Sequence, residues 1–344
     1  MTDPARVALD ATYSLGDHLS GVGVYCREIL FGVARAHPET RFHFCYRPHR
    51  FLRSWSEQLP RNCSRSLLQE PLLPRAADLF HGLNQRLPTI RLRRTVTTFH
   101  DLFVLTGEYS TPEFRSRFAD QARRAAAASD LIIAVSQFTA GQVEQLLGVE
   151  RSRLRVVPHG VRIAPPSSVR EKMILHVGAL QKRKNVVRLV EAFETVPATW
   201  RLALAGSAGF GAAEILSRIE RSPARHRISV LGYVTPEALA DCYARASIFA
   251  FPSLDEGFGI PVLEAMAAGA PVVTSRGSAL ADVAGDAALL VNPESVEEIA
   301  AALMNLIEGE QLRADLAQQG LVRAAGFTWD KAIEGTWSVY RELL

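Results

Sequence analysis

The sequence is poor in the residues that mark several functional classes. Its four cysteines, Cys26, Cys45, Cys63 and Cys242, lie far apart. No CxxC pair occurs, so neither a zinc knuckle nor a disulfide framework is expected. Nine histidines show no HExxH spacing, and no dedicated metal site is expected. No stretch approaches the ~18 uninterrupted apolar residues of a membrane-spanning helix. The start, Met1-Thr2-Asp3-Pro4-Ala5-Arg6, lacks the basic and apolar segments of a signal peptide, so a soluble cytoplasmic chain is expected. Ser136 is not embedded in GxSxG; it reads as a helix cap, not a nucleophile.

Lysine is absent from the first 167 residues, which carry 22 Arg and 15 acids, a net charge of +7. The remainder carries 17 basic and 21 acidic residues, a net of −4. A basic half faces either water or an anionic surface. The 344 residues, 48% hydrophobic and 22% charged, fit a globular protein of two domains.

Short β-branched runs alternate with helical patterns along nearly the whole chain. Strands are expected at Val7–Ala11, Phe42–Tyr46, Leu79–Gly82, Thr95–His100, Leu131–Ser136 and Leu154–Pro158. A second set is expected at Ile174–Gly178, Arg201–Ala205, Ile228–Leu231, Ile248–Pro252, Pro271–Ser275 and Ala288–Asn292. Amphipathic stretches such as Gly23–Ala36, Ser116–Ala128, Val186–Val196 and Pro236–Arg245 separate them. Apolar strand runs alternating with helices define an α/β class with parallel sheets covered on both faces. Two doubly wound, Rossmann-like domains facing an interdomain cleft follow, with ligands at the carboxyl ends of the strands. Pro165-Pro166 stops regular structure, which places a linker near 161–172 and the domains at 1–167 and 168–327.

The most informative segment is Glu256-Gly257-Phe258-Gly259-Ile260-Pro261-Val262-Leu263-Glu264, after a strand and opening a helix. Its glycines permit close backbone approach, and the amides of Phe258, Gly259 and Ile260 are placed as anion donors. Glu256, before the helix, and Glu264, about two turns in, suit the hydroxyls of a ribose or hexose. Arg183 and Lys184 follow another strand and are suited to a diphosphate, with Asn185 capping the next helix. In the first half, Gly21 and Gly23 occupy the first strand-to-helix turn. His100 ends a strand, placed to donate to a sugar hydroxyl or stabilise developing charge; Asp101 would orient it or cap the next segment. His81 has a similar placement with a structural role equally open, and His159 is expected to support the linker.

Together these residues resemble the retaining glycosyltransferases of family four, of GT-B fold. The pieces GVGVY (21–25), FHD (99–101), VPHGV (157–161), VGALQKRKN (177–185) and EGFGIPVLE (256–264) stand in that family's order. Leu9-Asp10-Ala11 and FHGLN (80–84) resemble the bacterial polysaccharide mannosyltransferases. The resemblance implies that Arg183 and Lys184 hold the donor diphosphate and that Glu256 contacts the transferred sugar. It implies that Glu264 holds ribose hydroxyls, and that Phe258, Gly259 and Ile260 meet sugar and phosphate. It places His100 beside the reacting sugar and makes Gly21 and Gly23 a loop closing on the phosphates. It further implies metal-independent transfer without a cofactor, in keeping with the absence of DxD. The last helix, 328–344, with Trp329, Trp337 and Tyr340, would pack back on the first domain.

The implied reaction moves a hexose from a nucleotide diphosphate sugar to a glycan or lipid-linked hydroxyl. The leading donor is GDP-mannose, with UDP-sugars as the alternative. The acceptor is expected on the first domain, where Arg86, Arg91, Arg93, Arg94, Arg115, Arg117, Arg123 and Arg124 are suited to anionic lipid headgroups, in peripheral membrane contact, or to a lipid-linked diphosphate. A nucleotide-sugar epimerase would carry a different carboxylate set. A dehydrogenase lacks its GxGxxG here, and nucleic-acid binding is disfavoured by the acidic second half. A catalytically silent nucleotide-sugar scaffold is the rival from another class, and oligomeric state is not legible.

Overall fold

The computed structural model describes residues 4–16, 19–69, 76–90, 92–162 and 170–344. Among these residues the chain forms two compact units. Unit 1 holds 1–106, 112–160 and 329–344; unit 2 holds 107–111 and 161–328. The expected boundary at 167/168 and most of the linker around it lie outside the described residues.

Unit 1 is built on seven strands: β1 (Arg6–Asp10), β2 (Arg41–Tyr46), β3 (Cys63–Leu67), β4 (Leu79–Gly82), β5 (Thr95–Phe99), β6 (Leu131–Ala134) and β7 (Leu154–Val156). Their order is β3-β2-β1-β4-β5-β6-β7, every pair parallel. Unit 2 has β8 (Glu171–Val177), β9 (Arg201–Ala205), β10 (Ile228–Gly232), β11 (Ala246–Phe251), β12 (Val272–Ser275) and β13 (Ala288–Val291). Their order, β10-β9-β8-β11-β12-β13, is again all parallel. In each sheet the order reverses beside the first strand, at β1/β4 and β8/β11. That switch point is where ligands gather in doubly wound sheets.

The strands expected from apolar runs all form. β3 was not anticipated, because Cys-Ser-Arg-Ser-Leu has no apolar run and only its β2 side is paired. The helix expected at Gly23–Ala36 begins two residues earlier, at Gly21, because the Ser20 hydroxyl accepts from the Gly23 amide at 3.3 Å. Ser136 caps Gln137–Leu147 in the same way, accepting from Thr139 at 3.0 Å.

The terminal helix Trp329–Arg341 belongs to unit 1 and packs along Gly21–Ala36. Gly32 makes this contact possible: a Cβ there would lie 2.2 Å from Ile333 Cδ1. Tyr340 is buried, and its hydroxyl lies 2.6 Å from His81 Nδ1.

Candidate functional site

In unit 2 the site forms at the carboxyl ends of β8 and β11. Lys182–Lys184 is a single 3₁₀ turn after β8, held against the loop after β11. Asn185, expected as a helix cap, has a left-handed φ of 58° and makes no side-chain cap bond. Its Nδ2 donates instead to the Pro252 carbonyl at 3.0 Å and the Pro293 carbonyl at 2.6 Å. Asparagine tolerates this backbone region, and the two bonds pin the turn to the ends of β11 and β13.

That pinning brings Arg183 and Lys184 onto Glu256. Arg183 Nη1 lies 2.8 Å from Glu256 Oε2, and Lys184 Nζ 2.6 Å from Oε1. The Ser253 hydroxyl also donates to Oε1 at 2.6 Å. Arg183 donates to the Asp255 carbonyl, and Lys184 stands 4.7 Å from the Phe251 ring centre. All three charged side chains are buried. Burial alone would raise the Glu256 carboxyl; the two cations and the bonds from Lys184 and Ser253 hold it at about 2. Two positive charges thus share the Glu256 carboxylate.

The helix after this cluster begins at Ile260. Gly259 precedes it with φ 106°, and a Cβ there would lie 2.5 Å from Leu280 Cδ2. Glycine therefore satisfies both backbone and packing. Phe258 is buried edge-on to Phe327, 6.0 Å between centres. Glu264 lies little more than one turn into the helix, not two as its spacing from Glu256 suggests. Its Oε2 accepts from the Tyr243 hydroxyl at 2.8 Å, and burial raises its carboxyl above the usual range. Tyr243 and Ser253 were not singled out from sequence. Ser253 stands within three residues of Glu256, whereas Tyr243 is brought in only by the fold.

His100, Gly21 and Gly23 belong to unit 1. The expected glycine loop is corrected: both residues lie in the first helical turn. Gly23 serves packing, since a Cβ would lie 3.0 Å from the Tyr13 carbonyl oxygen. His100 is held by Leu83 and His159, so the expected orienting bond from Asp101 is not the one that fixes its ring. Its Nε2 donates to the Leu83 carbonyl at 2.9 Å, and its Nδ1 lies 3.4 Å from His159 Nε2. The two rings stack at 5.3 Å, with Tyr25 edge-on to both. Burial lowers the His100 pKa to about 4, so the ring is neutral near pH 7. Because Nε2 must carry the proton that Leu83 accepts, Nδ1 is an acceptor for His159. His159 therefore packs as a partner of His100. His81 bonds Tyr340 and Thr98 Oγ1, the latter at 2.8 Å, and belongs to the core.

The arginine group is dispersed. Arg93 pairs with Asp78 and Arg123 with Asp120; Arg117 lies over Phe114. Arg86 and Arg124 line one cavity, while Arg91 is outside the described residues. Among the described residues there is no group of three metal-ligating side chains and no helix long and apolar enough to cross a membrane.

The sequence profile of Glycosyltransferase Family 4 matches residues 11–164, and that of Glycosyl transferases group 1 matches 162–323. O-antigen chain mannosyltransferase B of Escherichia coli is 31% identical over 77% of this chain and 74% of its own length. The serotype-specific mannosyltransferase WbdA of Escherichia coli is 27% identical over 70% of this chain, which spans 33% of that longer protein. Among solved structures, sucrose-phosphate synthase from Thermosynechococcus elongatus superposes with a TM-score of 0.80 at 20% identity, over 98% of this chain and 99% of that one. Anabaena HepE in complex with UDP and glucose gives 0.76 at 20%, over 98% and 99%. The two parallel-sheet units have the GT-B fold. The chain belongs to glycosyltransferase family 4 and is a glycosyltransferase of the group 1 type.

Proposed function

We propose that the chain transfers a hexose from a nucleotide diphosphate sugar to a hydroxyl of a glycan or lipid-linked acceptor, with retention and without a metal or cofactor. The observation that carries this reading is the buried cluster of Arg183, Lys184 and Glu256 at the sheet's switch point. A diphosphate leaving group gains charge in the transition state. Pre-placed cations beside a helix N-terminus stabilise that charge without reorganisation. Arg183, Lys184 and the Phe258–Ile260 segment are the proposed phosphate contacts.

Glu264 is the proposed ribose ligand: Tyr243 orients one oxygen and the carboxylate accepts hydroxyls with the other. Glu256 orients the transferred hexose and balances the two cations. As a covalent nucleophile it is disfavoured, because both its oxygens already accept from cations. The leaving phosphate oxygen is then the base that takes the acceptor proton, with attack on the same face. In unit 1, His100 is neutral and held by Leu83.

Mannose from GDP-mannose is the leading donor, on the mannosyltransferase relatives. A UDP-sugar is the second reading, supported by the UDP in a protein of the same fold. We place the acceptor on unit 1 and the protein in the cytoplasm, with peripheral membrane contact through unit 1. A thermal-shift panel of GDP-mannose, UDP-glucose, UDP-galactose, UDP-GlcNAc, GDP and UDP, with and without EDTA, tests the donor. A metal-independent shift by one nucleotide family, lost in Glu264→Ala, supports the reading. No shift with any nucleotide moves weight to a silent scaffold.

A further inference from the structure

At the carboxyl end of β11 the backbone is clamped by side chains from two sides. Three successive carbonyls each accept a side-chain bond. Phe251 accepts from Thr274 Oγ1 at 2.9 Å, Pro252 from Asn185 Nδ2 at 3.0 Å, and Ser253 from Ser275 Oγ at 2.6 Å. Thr274 and Ser275 belong to β12, so the neighbouring strand and the turn after β8 fix the same three residues. Ser253 is fully buried within this clamp. A polar network whose members are all paired is rigid.

The Ser253 hydroxyl has one proton and two acceptors within reach: Glu256 Oε1 at 2.6 Å and the Arg183 carbonyl at 3.1 Å. The Arg183 carbonyl already accepts from the Leu254 amide at 2.8 Å. The carboxylate is the closer acceptor and is charged, so the proton goes to Glu256. Among the described residues three side chains donate to this carboxylate: Arg183, Lys184 and Ser253. They differ in reach. Two are long cations, which the donor reading assigns to the diphosphate. Ser253 is short, neutral and clamped, and it stays on Glu256 when the cations turn to phosphate. A buried carboxylate that keeps a donor is far less costly than one that loses all of them. His176, on β8, acts on Glu256 through space; burial lowers its pKa to about 4, so it is neutral near pH 7 and replaces neither cation.

We propose that Ser253 is a positioning residue for the donor hexose. Its hydroxyl, fixed by the clamp at the end of β11, holds the Glu256 carboxylate ready to accept sugar hydroxyls while Arg183 and Lys184 hold the diphosphate. The inference rests on the transferase reading and deepens it by dividing the cluster's work: the cations serve the phosphates, and the Ser253–Glu256 pair serves the sugar.

The test is calorimetric titration of the full chain with GDP-mannose, GDP, UDP-glucose and UDP. The quantity read is the affinity of a nucleotide sugar relative to that of its own nucleotide. In Ser253→Ala the nucleotide is expected to bind within about twofold of the unsubstituted chain, which also reports that the variant is folded. The nucleotide sugar is expected to weaken about tenfold, the scale of one hydrogen bond to a charged group. Added to Glu256→Gln, the same substitution is expected to change the ratio by less than about twofold, because Ser253 acts through Glu256. Equal weakening of nucleotide and nucleotide sugar in Ser253→Ala overturns the proposal, since the hydroxyl then serves the whole site alike. Unchanged affinity for both overturns it too, as does a loss that persists in the Glu256→Gln background. Each of these results comes with donor binding by the unsubstituted chain and leaves the transferase reading standing. No binding of any nucleotide sugar by that chain removes the reading and this inference with it.

Discussion

Lys184 and Glu256, 72 residues apart, form a buried ion pair at 2.6 Å. Each is tied to another element: Lys184 to the turn after β8, Glu256 to the loop after β11. Arg183 completes the arrangement from the other carboxylate oxygen. Removing one member strands the charge of another away from water.

Lys184→Ala is therefore expected to lower kcat more than it raises KM for the donor, because leaving-group charge grows in the transition state. Loss of one such donor costs about 100-fold or more in turnover. Steady-state kinetics separate the effects. Equal turnover in wild type and Lys184→Ala, with His100→Ala also unaffected, removes this assignment.

Acid stability carries two signatures. Glu256 has a folded pKa of about 2 against an ordinary 4.5, so it stabilises the fold fully above pH 4.5. That contribution is lost as pH falls from 4.5 through about 2. His100 is held neutral, with a folded pKa of about 4 against 6.5. The unfolded chain binds that proton first, so stability falls as pH drops from 6.5 to about 4. Urea unfolding across pH should show the lower window flattened in Glu256→Gln and the upper one reduced in His100→Asn. Parallel curves for wild type and both variants contradict these environments.

The Gly32–Ile333 contact predicts a compensating pair. Gly32→Ala drives a methyl into Ile333 and should destabilise unit 1 by about 1–3 kcal/mol. Ile333→Ala alone destabilises by opening space, yet the double variant should recover part of the loss. Additive losses in chemical unfolding would show that the two helices do not meet here.

The membrane proposal has a specific surface. Leu52 and Trp55 are 82% and 65% exposed on the short turn Leu52–Ser56, beside Arg53, with Arg65 over the Trp55 ring at 4.8 Å. An exposed indole and leucine among arginines suit the headgroup boundary of an anionic bilayer. Vesicle sedimentation should rise with anionic lipid and drop several-fold in Leu52→Ser/Trp55→Ser. Equal sedimentation with neutral and anionic vesicles sinks the idea.

The parallel sheets were legible because a strand buried on both faces reads as an uninterrupted apolar run, as in Leu-Ile-Ile-Ala of β6. β3 escaped because an edge strand alternates and stays partly exposed. The glycine pair at 21 and 23 was read as a loop, although Ser20 before it was the local sign of a helix start. Individual members of the unit 2 cluster stood out by type and position. Their mutual pairing was invisible, since nothing local links residues 72 apart.

The last helix has a consequence for how the chain is made. His81 and Tyr340 meet in the core of unit 1 across 259 residues of sequence. During synthesis every strand of unit 1 leaves the ribosome before the helix that covers Tyr25 and Gly32 exists. Unit 2, contiguous from 161 to 328 apart from the short 107–111 segment, emerges whole in the interval. A nascent chain thus carries an uncovered apolar helix face until the helix Trp329–Arg341 appears, the condition under which chaperones engage.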